Sequence, residues 1–194
     1  MTNQLIIASA ITAMGFLSLH VEASNAIPEQ VIEAYQAGLQ GSQEQNQFAF
    51  NALKEINEKA PNPVALAMLG STETTQARYT NKPWQKMQYA EKGIAKLSRA
   101  IKQAESLPYS LRARVNVTAG CTFAQVPKMM NRAEHGSYLL NKVISESEQF
   151  KQLEPALQVS AYRCAAAAAE KLDDAEQAKS MVELAQKLQL VSTK

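Results

Sequence analysis

Three stretches of this chain repeat one another at a nearly fixed interval, and no other feature of the sequence restricts the fold as much. Ala90-Glu91-Lys92-Gly93, Ala133-Glu134-His135-Gly136 and Ala175-Glu176-Gln177-Ala178 begin 43 and 42 residues apart. Each continues in the same way: Gly93, Leu97 and Ala100 correspond to Gly136, Leu140 and Val143, and then to Ala178, Val182 and Ala185. Upstream, Met87, Met130 and Leu172 fall in line, and a weaker fourth copy lies at Ala49, Leu53 and Ile56. Steps of four and three residues put all three side chains on one helix face. A small residue there lets a neighbouring backbone come close, and the apolar residue fills the groove beside it. Such a pattern at a fixed period describes helices stacked on copies of themselves.

Turn and capping residues divide the chain into hairpins. Val31, Ile32, Tyr35 and Leu39 give residues 28–40 a helical periodicity that stops before Gly41. Ser42 with Gln45 forms a capping-box pattern for a second helix, to about residue 60. Pro61 and Pro63 precede a helix near 63–80, and Thr80-Asn81-Lys82-Pro83 turns the chain into another over 83–106. Pro108 opens a helix to about residue 124, and Pro127 opens its partner, to about residue 147. A helix over 151–172 carries the run Ala165 to Ala169, which permits close packing, and Asp173 with Glu176 starts the last helix. No sustained apolar–polar alternation, Asn-Gly or Asp-Gly signals a strand. With 194 residues, 46% of them hydrophobic, the chain can build one core. The expected architecture is all-α: eight helices in four stacked antiparallel hairpins, about 28–60, 62–106, 108–147 and 151–190, in one domain over 27–194.

Helical hairpins with Leu-Gly on the first helix and Ala-x-x-x-apolar-x-x-Ala on the second resemble tetratricopeptide repeats (TPR). Leu66, Leu69 and Gly70 match the first-helix positions, and Gly93, Leu97 and Ala100 match the second. In the last copy Tyr162, Ala165, Ala166 and Ala169 precede Ala178, Val182 and Ala185. The interval of about 43 residues exceeds the roughly 34 of that family, with the excess of the first copy around 76–84. The stretch from Leu66 to Gly93, including Pro83-Trp84 and Tyr89-Ala90-Glu91-Lys92-Gly93, also resembles exported bacterial TPR-like proteins. The resemblance implies an irregular α-solenoid that binds a peptide or protein partner as a scaffold, without catalysis. By the same resemblance, Ser71, Thr74, Thr75 and Arg78 line a groove in one copy and Arg163 and Glu170 in the last, with Tyr79 and Trp84 as further anchors.

Residues 1–26 contain no Lys or Arg, and an apolar run extends from Leu5 to Leu19. As a helix that run spans about 22 Å against about 30 Å of bilayer hydrocarbon, short for an anchor and suited to a secretory signal. Val21-Glu22-Ala23 and Ser24-Asn25-Ala26 offer cleavage after Ala23 or Ala26. The expected product is periplasmic or secreted, with no stable membrane insertion. A net charge of +2 demands no nucleic-acid partner.

Catalytic chemistry is hard to place. His20 lies in the leader, so His135 stands alone, too few for a paired-His metal site, and no Cys spacing suits zinc. No metal, cofactor or catalytic residue is expected, and His135, at the start of a repeat helix, is expected to face water. Glu91, Glu134 and Glu176 recur at one repeat position and read as architectural. Gly-rich phosphate loops and nucleophile elbows are absent. The alternative function is an envelope hydrolase of cell-wall type using one Glu in a helical cleft, which requires a buried, unpaired carboxylate in a pocket.

Cys121 and Cys164 stand 43 residues apart, the repeat interval. An oxidising compartment favours a disulfide. Equivalent positions on successive first helices, pointing the same way, favour two small buried thiols instead. Lys82, Lys86, Lys92, Lys96, Arg99 and Lys102, interleaved with Trp84 and Tyr89, form a basic stripe that Glu91 and Glu105 interrupt, and it reads as a solvated face. Trp84 either seals the hairpin turn or stands exposed as an anchor for a partner.

Overall fold

Proline and asparagine punctuation sets most helix boundaries in the computed structural model, which describes residues 27–192. The helices are α1 (Glu29–Leu39), α2 (Gln43–Lys59), α3 (Pro63–Gln76), α4 (Pro83–Ala104), α5 (Tyr109–Gln125), α6 (Ala133–Ser145), the short α7 (Ser147–Phe150), α8 (Pro155–Lys171) and α9 (Ala175–Ser192). Single 3-10 turns, Ala77–Tyr79 and Lys128–Met130, lead out of α3 and α5. No strand occurs among the described residues, so the fold is all-α. The expected leader and the cleavage positions expected at Ala23 or Ala26 lie outside the described residues.

Capping explains the starts. Ser42 Oγ accepts from Gln45 N at 3.3 Å to open α2, and Asn62 Oδ1 accepts from Val64 N at 2.8 Å with Pro63 at the first position of α3. Three expected starts fall elsewhere, the helix expected from residue 151 beginning at Pro155. Pro127 heads the 3-10 turn rather than a helix; Asn131, left-handed with φ 51°, ends that turn, and α6 begins at Ala133. Asp173, also left-handed at φ 62°, closes α8, and its neighbour Asp174 caps α9 by accepting from Gln177 N at 3.0 Å. Between the third and fourth pairs the chain inserts α7, which the periodicity did not announce.

The long helices pack as consecutive pairs: α1 with α2, α3 with α4, α5 with α6, α8 with α9. First helices also pack on one another, α3 against α5 and α5 against α8. The repeated small residues sit at the crossings within the pairs. A Cβ added at Gly70 would lie 2.8 Å from the Gly93 carbonyl oxygen, and one at Gly93 would overlap Thr74 Oγ1 and the Gly70 carbonyl. A Cβ at Gly136 would lie 3.0 Å from the carbonyl oxygen of Gly120. Leu97, Ala100, Leu140, Val143 and Ala185, from the same pattern, are buried, and Leu97 and Leu140 are fully enclosed. Val182 departs from the pattern at 38% exposure, because no described helix other than α8 packs extensively on α9.

Across the first helices the interval is not kept. Ser71 Oγ accepts from Tyr35 Oη at 3.1 Å and meets Thr122 Oγ1 at 2.9 Å, pairs separated by 36 and 51 residues. Between α5 and α8 the facing pairs drift from 40 residues apart at Arg114–Glu154 to 45 at Val126–Lys171. Cys121 and Cys164, at 43, fall within that range and face one another across the α5–α8 contact, rather than pointing the same way. They form a disulfide with Cα atoms 4.9 Å apart, and both are half-buried rather than enclosed. The buried alanines Ala161 and Ala165 of α8 allow so close an approach.

Tyr109, at the start of α5, ties this helix to the end of α6 by donating to the Val143 carbonyl at 2.8 Å. Loss of solvation, with the Glu146 carboxylate nearby, pushes its phenol up to about 12, although the Arg112 guanidinium acts in the opposite direction. Burial raises Tyr35 and Tyr162 as well. In the unfolded chain a tyrosine ionises near pH 10, so the native state holds these protons more tightly. Their contribution to stability is therefore intact below about pH 10 and is lost as pH rises through the native value. The urea midpoint should fall between about pH 10 and 12, and Tyr109→Phe should flatten that fall. An unchanged alkaline fall in the Phe variant would remove Tyr109 from the account.

Candidate functional site

Two hairpin turns converge on one apolar cleft. Pro83 fixes the first turn of α4, and its face presents Pro83, Lys86, Met87 and Ala90, the three-, four- and seven-residue steps of one helical stripe. Opposite, Val126 is extended, Pro127 restricts the chain, and the 3-10 turn that follows brings Met129 and Met130 to the same space. Thr74, Thr75 and Arg78 from the end of α3 and Thr122 and Gln125 from α5 close it. The cavity measures about 500 Å³, within the usual range of ligand sites. Thr74 Oγ1 and Thr75 Oγ1 donate to the Gly70 and Ser71 carbonyls, so both hydroxyl protons are engaged within α3.

Methionine gives the cleft its character. Met129 is 81% exposed and Met87 37%, while Trp84, on the same first turn of α4, is 62% exposed. Large apolar groups left in water around a concavity mark an interaction surface. Thioether side chains adapt their shape to what they meet.

The groove residues expected from sequence do not form one surface. Thr74, Thr75 and Arg78 line the cleft. Arg78 is also a tie: Nη1 donates to the Leu39 carbonyl at 3.0 Å and Nη2 to Gln125 Oε1 at 2.9 Å. Tyr79 donates to the Gly38 carbonyl at 3.1 Å and lies outside the lining. Trp84 is exposed and does not seal the turn. Ser71 is 2% exposed, an interior hydroxyl that no partner can reach without unfolding. Arg163 and Glu170 lie on α8, away from the cleft, and Arg163 Nη2 donates to Gln189 Oε1 at 2.8 Å. Sequence reasoning missed Met87, Lys86, Met129 and Met130 as a site. The signal was present: Met87 and Met130 occupy the same place upstream of two repeat copies.

No protein-family model, curated protein or solved structure matches this chain.

Glu73 is buried, but it pairs with Lys96 and is not in the cleft. That pairing places Lys96 apart from the basic stripe, whose other members are exposed. Glu91, Glu134 and Glu176 all stand in solvent. His135 is exposed and lays its ring against Phe123, centroids 5.1 Å apart. Partial burial, and then the Arg132 charge, hold its imidazole below the usual histidine range. Among the described residues no group of three His, Cys, Asp or Glu could hold a metal ion, and no helix is long and apolar enough to cross a membrane.

Proposed function

We propose that this protein is an exported interaction module, built of tetratricopeptide-like hairpins, that captures a peptide or protein partner in the cell envelope without catalysing a reaction. One observation carries the reading: a cleft of about 500 Å³ walled by Met87, Met129, Met130, Val126 and Ala90, with Met129 81% in water. The partner's apolar side chains fill the cleft, and the exposed Trp84 beside it widens the contact. Glycine crossings at Gly70–Gly93 and Gly120–Gly136 support the repeat reading. The leader-like run from Leu5 to Leu19 and the Cys121–Cys164 disulfide support export to an oxidising compartment.

A photo-crosslinking residue at position 129 should label a discrete partner in intact cells, and one at Gln186 on α9 should not. Met87→Glu, which puts a charge at an exposed position of the cleft wall, should abolish the product with little change in melting temperature. Equal labelling from both positions, or labelling unaffected by Met87→Glu, would remove the cleft from the function.

A further inference from the structure

The charges that line the cleft are of one sign. Its lining includes two cations, Arg78 and Lys86, and no carboxylate. The turns that build it, residues 77–86 and 125–132, carry Arg78, Lys82, Lys86, Lys128 and Arg132 and not one Asp or Glu. In a chain with 20 basic and 18 acidic residues overall, that local excess contrasts with near-balance. Lys128 is neutralised by Asp173 at 3.0 Å, an exposed pair of little strength. Lys82 and Lys86 are exposed and make no ion pair among the described residues. Arg78 is held in place at the cleft wall by the Leu39 carbonyl and Gln125. A cation already fixed loses less freedom when it meets an anion.

We infer that the partner of this cleft is an acidic amphipathic segment, its apolar side chains entering between Met87 and Met129–Met130 and its carboxylates meeting Lys86, Arg78 and Lys82. The inference rests on the cleft being the binding site and adds the chemistry of what binds. Apolar burial supplies the affinity, and the cations choose the partner and speed its arrival. The concave shape favours a peptide over an anionic membrane, because a bilayer offers no side chain to enter a space walled on both sides.

Two short helical peptides with the same leucine face test this, one with glutamates on its polar face and one with lysines, each carrying a neutral dye. Anisotropy titrations use the disulfide-intact protein at about 20 mM and about 300 mM salt, which bracket weak and strong screening. The glutamate peptide should bind at least about tenfold more tightly at low salt, with the margin shrinking at high salt. Lys86→Glu should weaken the glutamate peptide by about fivefold and strengthen the lysine peptide, while Met87→Gln with Met129→Gln, at the exposed methionines of the wall, should remove binding of both. Equal affinity for the two peptides, lost in the double glutamine variant, would overturn the acidic preference and leave the cleft standing. Absence of binding by either peptide, or binding indifferent to the double glutamine variant, would overturn the cleft and this inference with it. Sedimentation with phosphatidylglycerol vesicles that the glutamate peptide fails to displace would overturn the peptide in favour of a lipid surface.

Discussion

Gly93→Ala should lower the melting temperature by about 6–12 °C, on the order of 3 kcal/mol for a domain of this size. Helix propensity alone predicts the reverse, since alanine is favoured over glycine inside a helix by about 1 kcal/mol. Sterics decide the sign. The new methyl would overlap Thr74 Oγ1 and the Gly70 carbonyl and sit 2.8 Å from Thr74 N, so it strikes largely backbone, which cannot rotate away. α3 would have to separate from α4 along the most extensive helix contact in the fold. Gly120→Ala is the informative comparison, because its methyl would meet Leu140 side-chain carbons, the nearest at 2.6 Å, and part of that clash can be relieved by a rotamer change. The order of damage should be Gly93 above Gly120. Thermal unfolding followed by circular dichroism checks it, and a Gly93→Ala protein that melts with the wild type would refute the close crossing.

Removing the Cys121–Cys164 disulfide should produce the other large effect. The bond closes a loop of 43 residues that contains α6, α7 and the α8 N-terminal half. In the chain-entropy treatment, a loop of that size is worth about 4 kcal/mol through its restriction of the unfolded state. Cys121→Ser with Cys164→Ser should therefore shift the urea midpoint well down, and dithiothreitol should do the same to the wild type and nothing further to the double variant. Because the bond ties first helices α5 and α8, the fourth pair should lose protection from hydrogen exchange before the second. Coincident midpoints for oxidised and reduced protein would show that packing alone holds α8.

Helix content and most boundaries were legible because they depend on local chemistry. Pro63, Pro83 and Pro108, and the Ser42 cap, act within a few residues of where they stand. Pro127 misled because its fixed backbone suits a 3-10 turn as well as a helix start, and the left-handed Asn131 that decides between them carries a weak sequence signal. The period was reliable on second helices, where Gly93 and Gly136 meet their partners, and unreliable on first helices, where turn lengths differ. The first-helix core matches Leu66, Leu69 and Gly70 are buried, but the surface inferences drawn from first helices suffered. First-helix equivalence put Ser71 on a groove when it is interior, grouped Arg163 and Glu170 with Arg78, and argued against a disulfide that forms. The cleft was hidden for a different reason: it arises where two turns approach in space, 77–86 and 125–132, and only the shared position of Met87 and Met130 hinted at it.

Arg78 gives the molecule a mechanical property. A single guanidinium clasps the tail of α1 through Leu39 and the tail of α5 through Gln125, while its own backbone continues from α3. Three hairpins are thus pinned at one rivet, and that rivet is part of the wall against which a guest would press. Occupancy would tighten the first hairpin although no guest touches it, so the far end of the row should register, as slower amide exchange in α1, that the cleft is full.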